Sequence, residues 1–468
     1  MALAKPQRGV ALIVLLTLLG FLVVGVLLSI ARGGAIETER EIRTAQVLGK
    51  AKEGLIAYAI AVLPDTSAKR PGDLPCPDLD NDGQAELQCV TAAQRIGRLP
   101  WKTLGLSDLR DADGERLWYA LSTRFQRRNF NQCPSPSGPT CLNSETPGTI
   151  TVRNRVGTIV HDGTTPANDP AIIPTGAVAV VFAPGAIITR LGESDPQDRS
   201  CSGDANVSSC EQTGICNGPA SARCNPANYL DIADPSVVPA LSAAEDNKDF
   251  GDTTSANGFI AGPIHNAVGQ VVVNDVLIVV RYSDLMPKLE QRVAREALNC
   301  LRSYAARNAG LYPWAAPVSS DYTHALVDTN GVTFGRLPQA LTATKASGLA
   351  DDWNAASPPF ACPIGMSRLE HQWWANWSNL VFFAIAPGYA PGVATPGCGA
   401  CLTVNAPSGT ANRQVIVLVA GRPILGEVRG IGSSDSAYLE DANRDGSLTT
   451  LFKQAASTST FNDTVVYQ

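Results

Sequence analysis

The stretch that most constrains this chain is its beginning. Lys5-Pro6-Gln7-Arg8-Gly9 is followed by a run from Val10 to Ala31 that holds no charged residue, and only Thr17 and Ser29 in it carry side-chain polar groups. As a helix, that run rises about 33 Å, enough to cross a hydrocarbon core of roughly 30 Å. The basic leader would stay on the cytoplasmic side and everything after Arg32 would be exported. The run therefore predicts a transmembrane helix over 10–31, a single pass with a short cytoplasmic N-terminus, and C-terminal modules on the far side of the membrane. A secretory signal usually has a shorter apolar stretch with small residues behind it, whereas Gly9 stands in front. A plain signal anchor, or cleavage after Ser29-Ile30-Ala31, is the alternative.

Beyond the leader the chain is long enough for two or three globular domains, with 468 residues in all and 44% of them hydrophobic. The 37 basic and 43 acidic residues include no basic tract beyond Arg127-Arg128, so nucleic acid is excluded as a partner. All 12 cysteines lie beyond the apolar run, and in an oxidising compartment they read as disulfides. Spacing pairs Cys76 with Cys89, Cys133 with Cys141, and Cys398 with Cys401. Cys201, Cys210, Cys216 and Cys224 staple a polar loop, and Cys300 and Cys362 are left for each other. Connectivity does not follow from sequence alone. The Cys398-Gly399-Ala400-Cys401 motif lacks the βαβ setting of a redox site, and the cysteines of 201–224 lack the paired spacing of a zinc site.

Past Gly33-Gly34, Ile36, Ile42, Ala45, Leu48, Leu55, Ala59 and Val62 recur at three- and four-residue steps. Glu37, Glu39, Arg40, Glu41, Arg43, Lys50 and Lys52 take the opposite face, which predicts an amphipathic helix ended by Pro64. The chain then repeats itself in order. Val47, Ala51, Leu55 and Tyr58 match Val293, Ala297, Leu301 and Tyr304. Gly97-Arg98-Leu99-Pro100 returns as Gly335-Arg336-Leu337-Pro338, and the run 178–183 as 415–420. Tyr229-Leu230-Asp231 returns as Tyr438-Leu439-Glu440, and Asn274-Asp275 as Asn462-Asp463. Five correspondences in one order predict a duplication. The implied domains are a leader over 1–9, the membrane helix over 10–31, a first module over 32–284 with disulfide-stapled loops, and a second over 285–468. The second opens with a helix over 285–308 and closes with a strand over 461–467.

The junction Arg8-Gly9-Val10-Ala11-Leu12-Ile13-Val14 resembles the leader of type IV pilins and pseudopilins. The resemblance implies cleavage after Gly9 by a prepilin peptidase and methylation of Val10. Major subunits of that family carry a Glu where this chain has Val14, and that carboxylate compensates the N-terminal ammonium of a neighbour. In lacking it, the leader resembles K-type pseudopilins and X-type minor pilins, which implies a place at a filament tip. The stretch Leu74-Pro75-Cys76-Pro77-Asp78-Leu79-Asp80-Asn81-Asp82-Gly83, followed by Gly97-Arg98-Leu99-Pro100-Trp101-Lys102-Thr103-Leu104-Gly105-Leu106, is similar to a subset of large pilin-like proteins. The fold class implied is α+β: a long N-terminal membrane-spanning helix continuing into a pilin-like module with an antiparallel sheet, then a second tandem pilin-like module. The function implied is a minor subunit that helps initiate assembly of a type IV pilus or type II secretion pseudopilus. Its partners would be other pilins through the N-terminal helix, the prepilin peptidase and inner-membrane lipid. The alternative is an adhesin or binding protein without an assembly role.

Two stretches have the residue types of a calcium loop. Asp78, Asp80, Asp82 and Glu86 supply oxygens at alternating positions with Gly83 at the turn, although Cys89 stands where a bidentate Glu would be needed. Asp441, Asn443 and Asp445, followed by Gly446, are a weaker echo. Calcium is the one cofactor this suggests. No catalytic set is visible: His161, His265, His324 and His371 are scattered without ligand spacing or a partnered nucleophile, which predicts a protein that is not an enzyme.

Overall fold

Charge decides how the first helix is used. The computed structural model describes residues 37–61, 70–126, 141–164, 174–249, 258–349, 374–424, 427–445 and 450–468. Helix α1 occupies residues 37–61, and its first seven residues, 37–43, are all exposed. Only from Leu48 onward does the apolar stripe meet the body, with Leu48, Ala51, Leu55 and Ala59 buried at three- and four-residue steps. The run 10–31, with Gly9, Val10 and Val14, lies outside the described residues. Among the described residues no helix is long and apolar enough to cross a membrane. This corrects the expected half-lipid, half-packed helix and the single-pass inner-membrane placement built on it. Glu37, Glu39, Arg40, Glu41, Arg43, Lys50, Lys52 and Glu53 make α1 far too polar for hydrocarbon.

The expected fold class is corrected with it. The described chain is mostly small sheets with few helices, two of them the short segments Val207–Thr213 and Thr342–Ala346. Strands β1 (Ile96–Arg98), β2 (Trp118–Leu121), β3 (Ala179–Ala183) and β4 (Val276–Val280) form one antiparallel sheet in that order. Helix α2 (Tyr282–Arg307) comes next in the chain. A second antiparallel sheet has the same order, from β5 (Phe334–Arg336) and β6 (Val381–Ile385) to β7 (Val415–Val419) and β8 (Thr464–Tyr467). Two three-stranded and two two-stranded sheets make up the rest of the described strands.

Strands β3, β6 and β7 are buried at every position, because both faces of each sheet are covered. Side chains alternate across a strand. Tyr119, Leu121, Ala179, Val181, Val381, Phe383, Val415 and Val417 therefore turn inward, into one core shared with α1 and α2. Trp118, Val180 and Phe182 turn outward under a layer holding Tyr229, Leu230 and Phe259. In the second sheet Phe382, Ile416 and Leu418 turn outward under Tyr438, Leu439 and Phe452. The two sheets thus share an inner core that includes both helices, and each has its own outer cover.

Helix α2 starts ahead of the predicted point because Asp284 caps it: its Oδ2 accepts the Arg281 N–H at 2.9 Å. Asp284 also meets Lys52 at 2.7 Å, which ties α1 to α2. The helix ends where Ala309 and Gly310 turn to φ of 52° and 86°. Asn376 links the halves: its Oδ1 accepts the Leu142 N–H at 2.9 Å and its carbonyl accepts from Asn143 Nδ2 at 2.8 Å.

Candidate functional site

The acidic loop before β1 is held by its own carboxylates. Asp78 is buried; its two oxygens accept the N–H groups of Asn81 at 2.6 Å and Gly83 at 2.7 Å. Asp80 accepts the Asp82 N–H at 3.1 Å, and Asp82 accepts the Gln84 N–H at 2.6 Å. These are Asx turns, and Asn81 and Gly83 supply the positive φ they require, 67° and 89°. A disulfide between Cys76 and Cys89 closes the loop. Arg116 braces it from outside, donating to the Asn81 carbonyl at 2.8 Å, and Cys216 N–H donates to the Asp80 carbonyl at 2.8 Å. One oxygen from each of Asp78, Asp80 and Asp82 lies within 4.8 Å of the other two. Burial, then the charges of Asp80 and Asp82, push Asp78 up to about 7. Of the four residues singled out for calcium, the structure gathers three. Glu86 turns instead to the Leu79 N–H at 3.4 Å. Clustered carboxylates suit a hard cation, but both oxygens of Asp78 and of Asp82 already accept hydrogen bonds within the loop.

The weaker candidate has other work. Asp441 is ion-paired with Lys453. Asn443 is buried, takes the Lys453 N–H at 2.8 Å, and donates to the Lys453 carbonyl at 3.1 Å and to Asp463 Oδ2 at 3.0 Å. These contacts are those of a structural clamp and leave Asn443 no oxygen for a metal. The Asp445 side chain lies outside the described residues. Asp204 lies near Cys210 and Cys216, but both sulfurs are oxidised, bonded to Cys201 and Cys224 respectively, and a disulfide sulfur is not a thiolate ligand. Cys398 is bonded to Cys401, and Cys141 and Cys300 are also disulfide-bonded. Cys133 and Cys362 lie outside the described residues.

Sequence repeats become a repeated polar architecture. Arg98 lies over Trp118 at 4.3 Å and Tyr229 at 3.9 Å, while Arg336 lies over Phe382 at 4.9 Å and Tyr438 at 4.6 Å. Each guanidinium lies against its outer cover and donates to carbonyls, such as Arg116 O for Arg98 and Val318 O for Arg336. Behind it, Asp275 Oδ2 accepts the Asp231 N–H at 2.7 Å, and Asp463 Oδ2 accepts the Glu440 N–H at 3.0 Å. Asp231 in turn accepts the Asn274 N–H at 2.9 Å, as Glu440 accepts the Asn462 N–H at 3.0 Å. Asn247, unnoticed in the sequence, bonds both backbone groups of Ile260 and donates to Asp275, matching what Asn443 does with Lys453 and Asp463. The duplicated Asn-Asp pairs are the signal that leads to it.

The rest carries little chemistry. His161 touches the Thr175 carbonyl at 3.0 Å and His324 sits on Asp321 at 3.1 Å; both are separate from each other and from exposed His265, and His371 lies outside the described residues. Trp374 and Trp377 are buried in the shared core. An open cleft of about 520 Å³ is lined by Asn405, Asp441, Lys453 and Gln454. The chain matches no known family model, no curated protein and no solved structure. No pilin or secretion family is shown by these comparisons, and of the features expected with it the disulfides are present.

Proposed function

We propose that this chain is a non-catalytic assembly subunit, a minor component at or near the tip of a filament of the type IV pilus or type II secretion kind. The observation that carries the reading is the Arg8-Gly9-Val10 junction, which resembles the processing site of prepilin leaders. Two features support it. The exposed start of α1, residues 37–43, is tied to the body through the Arg40–Asp113 ion pair and offers Ile42 and further charges to a neighbour. Two sheets with separate covers also form a bulky body, which would crowd successive subunits in a filament but is tolerated at an end. Disulfides suit a body that folds in an oxidising compartment.

The test is the mass and first residue of the mature protein. Methylated Val10 is expected, and Gly9→Trp should abolish processing. A mature chain starting near residue 32, or normal processing of G9W, would overturn the reading. A second reading, a binding protein displayed by such a filament, is favoured by the open cleft beside Asp441 and Lys453, lined also by Ala406 and Ala442. It predicts that a deletion strain still builds filaments but loses attachment.

A further inference from the structure

Each half of the molecule buries two carboxyl groups joined through a backbone N–H, and in each half a carboxyl oxygen is buried without a donor among the described residues. In the first half Asp231 and Asp275 are fully buried. Asp231 accepts from Gln197 Nε2 at 2.8 Å and from the Asn274 N–H, and Asp275 Oδ2 accepts from Asp231 N–H and Asn247 Nδ2 at 2.9 Å. Asp275 Oδ1 has no donor among the described residues. In the second half Glu440 Oε1 and Asp463 Oδ1 are likewise buried without a donor among the described residues, and the two side chains face one another. The facing carboxyls of the second half lack one thing, a proton between them, and in the first half a proton on Asp275 Oδ1 would supply the polar hydrogen that this oxygen lacks.

The charges around each pair do not remove that need. Arg190 approaches Asp231 Oδ1 only to 3.8 Å and is shared with Glu193, Arg199 acts from behind Gln197, and Asp246 adds a like charge. Around the second pair Arg429 is opposed by Glu427, to which it is itself bonded at 3.2 Å. Burial, and then the partner carboxylate, push Asp275 and Asp463 far above the ordinary carboxylate range.

We infer that the Asp231–Asp275 pair, and Glu440–Asp463 in the second half, are proton-dependent latches that fasten the outer cover of each sheet to that sheet's last strand. The positions dictate this. Asp231 directly follows Tyr229 and Leu230, which cover the first sheet, and Asp275 directly precedes β4. Glu440 follows Tyr438 and Leu439, and Asp463 precedes β8. One proton keeps each pair singly charged and closed. Its loss places two charges together in a buried site, and the cover lifts. The molecule is then tightest in mild acid and loosens on the alkaline side. This inference is independent of the assembly role.

The test is equilibrium unfolding of the full chain in denaturant between pH 5 and pH 8. A proton held by the fold and absent from the unfolded chain makes the unfolding constant rise about tenfold per pH unit. Glu290 and Asp78 titrate in the same direction, so the diagnostic quantity is the change of slope in a variant. Asp275→Asn keeps the acceptor and supplies an N–H in place of the proton. It should remove about one tenfold factor per pH unit and slow amide exchange at Asn247 and Ile260 above neutral pH. An unchanged slope in D275N overturns the latch. Should D275N fail to fold, selectively ¹³C-labelled aspartate carboxyls in the unmodified chain decide. Two acid-form signals persisting at pH 7.5 are expected, and a spectrum with every aspartate ionised refutes the proposal.

Discussion

Asn247→Ala tests whether the buried amide clamps are what hold the outer covers down. The side chain is fully buried and makes three hydrogen bonds: from Ile260 N–H at 2.8 Å, to the Ile260 carbonyl at 2.9 Å, and to Asp275 Oδ2 at 2.9 Å. Truncation strands the two Ile260 backbone groups, at about 1–3 kcal/mol for each buried unsatisfied group. The expected loss is about 2–6 kcal/mol. The control is Asn266→Ala, whose side chain accepts from Val268 and Gln270 N–H groups in an exposed turn and should cost about 0.5 kcal/mol. Asn443→Ala should match N247A, because it removes the same three bonds in the second half. Denaturant midpoints at fixed pH read all three. If N247A behaves like N266A, water replaces the amide and the cover is not held as described.

Removing the Cys76–Cys89 bridge with paired serines opens a loop of sequence separation 13, and chain entropy predicts a loss of about 3 kcal/mol by calorimetry. Glu290 is held at about 8 from an ordinary 4.5, mainly by burial, against bonds from Ser144, Thr464 and Tyr282. Its folded form therefore keeps a proton that the unfolded chain releases, so stability is full below about 4.5 and is lost as pH rises toward 8. Glu290→Gln should flatten unfolding free energy across that window, and a variant with the original slope would count against a buried neutral Glu290. A Cβ added at Gly335 would lie 2.0 Å from the Ala316 carbonyl oxygen, and one at Gly97 2.8 Å from the Asp78 carbonyl oxygen. Gly335→Ala should therefore destabilise by about 1–3 kcal/mol and by more than Gly97→Ala; equal midpoints would contradict the strand approach.

Particular residues show how far the sequence could be read. Apolar runs such as Val415–Val419 are legible because a strand covered on both faces needs no polar positions, and the structure covers both. Gly97-Arg98 and Gly335-Arg336 are legible as a pair because a close backbone contact and an arginine laid over aromatic rings both restrict residue type. The clamps are not. Asn443 follows Glu440 within one turn, but Asn247 is reached only after the strand Ile232–Ala233 and a long connection, so no fixed spacing joins them. Nor does any periodicity mark Glu290, a charged residue on the buried stripe of α2, where a polar side chain looks like an interruption of the pattern. The aspartates of 78–82 are legible as a turn-forming group, since alternate carboxylates beside glycine serve backbone amides as readily as they serve a metal. Sequence fails most where one residue type answers two demands. The long apolar run at the start suggests a continuous rod, yet the charges on α1 belong to a helix whose apolar stripe is fully buried only from Leu48 onward. A helix packed on one side needs its stripe buried only where the body reaches. The exposed portion keeps the same periodicity without the burial, and periodicity alone cannot say where packing begins.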